Sequence, residues 1–145
     1  MATRDEGCCS ATPRAAEAQY RQALYLCPAD AITDLGPMHQ TLGVLYAAVG
    51  QTEPARGHCE QAAHLFEQTG NRYNAGKTRG NLSLLYLNAS EHEQSQPRRR
   101  DLLRRAQAYA QAALRDYRHY QGRAAADEAR TQQLIDTIAQ ALAAV

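Results

Sequence analysis

Residues 42–46 read LGVLY and residues 82–86 read LSLLY, the same leucines and tyrosine in the same order forty positions apart. Around each pentapeptide runs an apolar stripe at i, i+3, i+4, i+7: Leu42, Leu45, Tyr46 and Val49, then Leu82, Leu85, Tyr86 and Ala89. That spacing predicts an amphipathic helix. A second figure recurs at an offset of 51, where Ala55, Cys59, Ala62 and Phe66 match Ala106, Ala110, Ala113 and Tyr117. Ala16, Tyr20 and Ala23 offer the same figure once more. Two helix types therefore alternate along the chain. Alternation at a near-constant period constrains the fold to a stacked helical repeat rather than a one-off bundle.

Helix breakers divide the chain into six helical segments. Thr12-Pro13 reads as a cap and start, Cys27-Pro28 followed by Asp30 as a stop, and Gly36-Pro37 precedes a run that ends at Gly50. Thr52-Glu53-Pro54 restarts it, with Thr52 placed to cap. Gly70-Asn71 separates the third and fourth segments, the polar stretch Asn88 to Pro97 the fourth and fifth, and Gly122 the fifth and sixth. An alanine-rich composition with one Phe and no Trp favours helix over sheet. The remaining connections are short, so consecutive helices should be antiparallel neighbours.

With these residues in view, the chain resembles the tetratricopeptide repeat family. His39-x2-Leu42-Gly43-x2-Tyr46, then Ala55-x3-Cys59-x2-Ala62, follows its W-x2-L-G-x2-Y…A-x3-F…P pattern, with His39 at the Trp place and Cys59 at the aromatic one. Leu82, Ser83 and Tyr86, then Ala106, Ala110 and Ala113, supply a second copy. Ala16, Tyr20, Ala23 and Pro28 look like a repeat's second helix alone, and the last segment like a first helix alone, with Leu134 under Leu82 and Ile138 under Tyr86.

The resemblance implies an all-α fold of about six helices, stacked as antiparallel pairs into a short right-handed superhelix. Residues 1–12 would be a disordered polar tail, 13–27 a half-repeat, 37–70 a repeat, 72–121 a repeat with an insert at 88–98, and 123–145 a C-terminal capping helix. Small residues at Gly43, Ser83 and the alanines would let helix axes approach, while Tyr20, Tyr46, Phe66, Tyr86 and Tyr117 fill the space between repeats. Against a tight period, the linkers after Pro28 and across Gln68–Ala75 look lengthened. The stretch SEHEQSQPRRR should project as a loop or extend the fifth helix.

The family implies a function in protein–protein interaction, through a concave groove lined by first helices and filled by a peptide or helix of a partner. Carried over, the groove positions are Gln40, Val44 and Ala48, then Lys77, Asn81, Leu84, Leu87 and Asn88, then Gln133, Asp136 and Gln140. Lys77 and Asn81, four apart, share one helix face. Lysine supplies a point charge, and an Asn amide can pair with a peptide's N–H and C=O. The preceding first helix holds Gln40 and Val44 where a carboxylate clamp would want Lys and Asn, which argues against capture of a chain's C-terminal carboxylate. Two alternatives stand beside the groove. One is self-association through Ile135, Ile138 and Leu142 of the last helix, and the other a small chaperone holding an unfolded segment in the same groove.

Arg98, Arg99, Arg100, Arg104 and Arg105 form a candidate basic edge for an acidic partner or nucleic-acid phosphates. Asp101 interrupts the run, no aromatic is interleaved, and sixteen Lys and Arg balance fifteen Asp and Glu, all of which disfavours nucleic acid. No P-loop, G-x-S-x-G or H-E-x-x-H occurs, so no enzyme is expected, and no cofactor. The cysteines have no zinc-finger spacing, so no metal site is expected, and Cys59 reads as a small buried apolar residue. MATRDEGCCS lacks the apolar core of a secretory signal, and the apolar runs fall short of a membrane span; the expectation is a cytoplasmic protein.

Overall fold

Gly50 and Gly70 adopt φ values of 78° and 74°, the left-handed conformation that glycine enters without a Cβ penalty. At each, the next N–H turns back: Gln51 donates to the Tyr46 carbonyl and Asn71 to the Phe66 carbonyl, both at 2.9 Å. Carbonyls left over in a helix's last turn are satisfied in this way, and the helix stops. The computed structural model describes residues 13–28 and 31–145, and among them the chain is all-helical. The helices are α1 (Pro13–Leu26), α2 (Ile32–Ala48), α3 (Thr52–Gln68), α4 (Arg72–His92), α5 (Gln96–Arg118) and α6 (Ala125–Ala143). The expected polar tail, the Thr12 cap and the Asp30 stop signal lie outside the described residues.

Adjacent helices pack antiparallel. Gly36 meets Phe66 while Gly43 meets Ala55 and Cys59, so contacts move down α3 as they move up α2. Glu67 meets Arg79 and Glu60 meets Tyr86 across α3 and α4. Asp116 meets Gly76 and Ala106 meets Ser83 across α4 and α5. Each helix packs chiefly on its neighbours in sequence, and α2 also touches α4. The core is a seam of Leu42, Leu82, Leu103 and Ile138, fully buried, set among the equally buried Ala55, Ala62, Ala106, Ala110 and Ala113. Tyr46, Phe66, Tyr86 and Tyr117 are buried between helices; Tyr20, expected among them, lies 37% exposed on α1. Among the described residues no helix stacks on the other side of α1, which leaves that ring at the edge.

The two repeats match beyond their core. The Tyr46 hydroxyl faces Glu17, which raises its pKa and pairs with Arg21 on α1 at 3.7 Å. Its counterpart Tyr86 donates to Glu60, which faces Arg56 on α3 at 3.9 Å. Thus α1 stands to α2 as α3 stands to α4, with the order of the charges reversed.

Four boundaries differ from the sequence reading. First, α2 starts at Ile32, so Pro37 lies inside it. Gly36 explains this: a Cβ there would stand 2.9 Å from the Phe66 ring, so the glycine is a seat for that ring rather than a breaker. Gly76, forty residues on, seats Tyr117 in the same way. Packing of this kind overrides local helix propensity. Second, Thr52 is the first helical residue and Gln51 the N-cap, with no side-chain cap bond. Third, the linker before α4 is short, because Asn71 caps α4 by accepting from the Asn74 N–H at 3.2 Å.

The fourth concerns the insert. The two registers, forty and 51, differ by eleven residues, and all eleven are helical. Relative to α2, α4 gains residues 89–92 at its end; relative to α3, α5 gains 96–102 at its start. Ser90 stands where Gly50 ends α2, so α4 has no left-handed stop there and continues until Glu93 turns extended. Only Glu93, Gln94 and Ser95 remain as a turn, tightened by the Ser95 N–H donating to the Glu93 carboxylate at 3.0 Å.

Candidate functional site

One face of α4 carries Tyr73, Lys77, Gly80, Asn81, Leu84 and Asn88, spaced so that all fall on a single stripe. This stripe is the divide between two clefts. On one side α4 and α6 enclose about 650 Å³, lined by Tyr73, Lys77, Gly80, Asn81 and Leu84 opposite Asp127, Arg130, Gln133, Leu134 and Thr137. On the other, α2 and α4 enclose about 370 Å³, with Val44, Ala47, Asn81, Leu84, Leu85 and Asn88 around a floor of Gly43 and Cys59. Asn81 and Leu84 line both. The two clefts therefore form one tract across the faces of α2, α4 and α6.

The tract is apolar in the middle and polar at its end. Leu84 is 53% exposed and Val44 49%, whereas Leu82 and Leu42, two positions earlier in each repeat, are fully buried. At the α6 end the Tyr73 hydroxyl donates to Asp127 at 3.0 Å, and Arg130 pairs with the same carboxylate. The hydrogen bond to Asp127 raises the Tyr73 pKa. Tyr73 is fixed further by its own N–H donating to the Tyr120 hydroxyl at 2.9 Å. Asp127 and Arg130 neutralise one another, while Lys77 is exposed and has no ion-pair partner among the described residues. Beneath the α2 cleft, burial pushes the Cys59 thiol up to about 11, so it is an inert, protonated wall.

Of the residues singled out in the sequence, Val44, Lys77, Asn81, Leu84, Asn88 and Gln133 line the tract. Gln40 does not: it is half-buried, and its amide nitrogen is shut off from solvent with no hydrogen-bond partner among the described residues. Ala48 and Leu87 also lie off the tract. Asp136 and Gln140 are exposed on α6 but line neither cleft, and Asp136 accepts from Gln132 at 3.1 Å. The reason is a shift along α6, whose fully buried residue is Ile138, one turn beyond the half-buried Leu134. Burial of Ile138 against Tyr86, Ala106 and Ala110 also removes the central residue of the expected self-association face. Sequence reasoning missed Tyr73, Asp127, Arg130 and Thr137. Tyr73 was within reach, four residues before Lys77 on the same face; the α6 residues required the register of α6 itself.

The arginine run is not one edge. Arg98, Arg100, Arg104 and Arg105 are exposed, but Arg99 is half-buried with its Nε shut off from solvent. Arg100 donates to the Val145 carbonyl at 3.0 Å, and Arg105 lies over the Tyr86 ring at 5.9 Å. Because the run is helical, successive arginines point a hundred degrees apart and serve different neighbours.

Among the described residues no helix is long and apolar enough to cross a membrane. No protein-family model, curated protein or solved structure matches the chain.

Proposed function

We propose that the chain is a tetratricopeptide-like interaction module that binds a peptide or helix of a protein partner along the tract across α2, α4 and α6. The observation that carries this reading is the α4 stripe, where an unpaired Lys77, the amides of Asn81 and Asn88, and the exposed Leu84 face two joined clefts. Leu84 and Val44 supply apolar contact, Asn81 and Asn88 pair with main-chain amides, and Lys77 favours an acidic group near the α6 end. Tyr73, held by Asp127 and Tyr120, adds a rigid aromatic anchor. A role as adaptor or as a regulatory segment of a larger protein fits such a surface.

The test is a comparative pull-down from the source cell with the wild-type chain, Lys77→Gln/Asn81→Ala, and Arg98→Gln/Arg104→Gln. Partners that depend on the tract are lost from the first variant and kept by the second, with circular dichroism showing helix content unchanged in both. Retention of every partner by the first variant, with loss from the second, moves the interaction to the arginines and ends this reading.

A further inference from the structure

Where α2 packs on α3, two histidines from the two helices face one another. The Nδ1 atoms of His39 and His58 lie 2.9 Å apart, a hydrogen bond in which one ring donates and the other accepts. The His58 ring also stacks on Tyr46, centroids 5.4 Å apart and planes 4° from parallel. The groups facing this pair are the hydroxyl of Tyr46 on α2 and the ion pair of Glu17 and Arg21 on α1.

The second repeat shows what the first lacks. Tyr109 stacks on Tyr86 at 5.7 Å, as His58 does on Tyr46. Arg79 holds the place of His39, and this permanent cation is paired with Glu67 and Asp116. In the first repeat the place of Asp116 is Leu65 and that of Glu67 is Pro28. Among the described residues a cation at position 39 therefore has no carboxylate placed for it, and Glu17 is already paired with Arg21.

We propose that His39 and His58 form a pH-sensitive latch: the neutral pair ties α2 to α3 and leaves the surface beside α1 uncharged, and protonation of both rings breaks that tie and releases α1 from α2. Two imidazolium rings leave no acceptor for the bond between them, and they bring two positive charges beside Arg21. The element they act on is weakly held: Tyr25 and Leu26 of α1 are exposed, and its contact with the core runs through Leu24 onto Leu42 and Tyr46. Release uncovers that apolar end of the stack.

The direction of the effect follows from the rings' surroundings. Burial lowers the pKa of both from 6.5, helped by the other ring at His39 and by Arg21 at His58. The undocked helix then binds more protons than the docked one. Docking is at full strength above pH 6.5 and weakens as the pH falls below it.

Amide hydrogen exchange of the full chain between pH 7.5 and 5.0, read by NMR as protection factors, tests the latch. Amides of α1 lose about tenfold protection for each unit by which a ring's pKa lies below its unperturbed value, while those of α5 keep theirs. His58→Tyr, which copies Tyr109, and His39→Gln each reduce the pH dependence of α1 protection over this range, and the double variant leaves it flat. Carbon-detected titration of the two rings places both midpoints below 6.5. The latch is overturned if α1 protection in the wild type is flat, if both variants keep the wild-type pH dependence, or if the rings titrate at or above 6.5.

Discussion

Gly43 and Ser83 hold the same place in the two repeats, and their partners explain the difference between them. A Cβ at Gly43 would run into the Cys59 sulfur and sit 3.3 Å from the Ala55 carbonyl. At Ser83 the opposing position is Ala110, which leaves space for a side chain, and the Ser83 hydroxyl donates to the Ala106 carbonyl at 2.7 Å. Small faces larger in one repeat, and larger faces small in the other. Gly43→Ala should therefore overpack the crossing and destabilise by about 1–3 kcal/mol in urea unfolding. Adding Cys59→Ala should recover part of that loss, so the double-mutant cycle should show a favourable coupling energy; simple additivity would refute this account. The buried thiol itself should stay unmodified by iodoacetamide at pH 8 until the chain unfolds, because burial keeps it protonated up to about 11.

At the scale of the element, boundaries were the least legible feature. Gly50 and Gly70 read correctly as stops because a left-handed glycine is a local device. Gly36 read wrongly, because its role is to accept the Phe66 ring, a contact no neighbouring residue announces. The insert read either as a loop or as an extension of the fifth helix, because its polarity signals exposure and an exposed helix is as polar as a turn; the structure lengthens both α4 and α5. Caps offer a direct test of the repeat register. Ala31 and Asn71 occupy matching N-cap positions with similar backbone angles, but only Asn71 accepts a capping bond. Ala31→Asn should stabilise α2, and Asn71→Ala destabilise α4, each by about 0.5–2 kcal/mol as read by thermal unfolding.

Across the whole molecule, Arg79 is the residue that ties helices together. From α4 it reaches Glu67 on α3 and Asp116 on α5, with its own side chain 15% exposed and that of Asp116 10%. Its value lies between the about 1 kcal/mol of an exposed pair and the about 3–5 kcal/mol of a fully buried one that is broken. Asp116→Ala should fall toward the upper end, because it leaves a largely buried guanidinium with only the exposed Glu67 carboxylate. Glu67→Ala, at the 60% exposed carboxylate, should cost under about 1 kcal/mol. Equal losses in chemical denaturation would mean that burial does not set the energy of this network.

The sequence alone determined that the chain is helical, that two helix types alternate, and which leucines, alanines and tyrosines form most of the seam, since periodicity reports the face a residue presents. It also placed Lys77, Asn81, Leu84 and Asn88 on one stripe, because spacing within a helix is a local property. Tertiary structure decided what the stripe faces: that Asp127, Arg130 and Thr137 stand across from it, that Gln40, Asp136 and Gln140 do not, and that Ile138 is core. It alone brought His39 to His58, nineteen residues away. Those outcomes depend on how far each helix slides and turns against the next. That offset is set by which side chain meets which across an interface, and no pattern along a single helix encodes it.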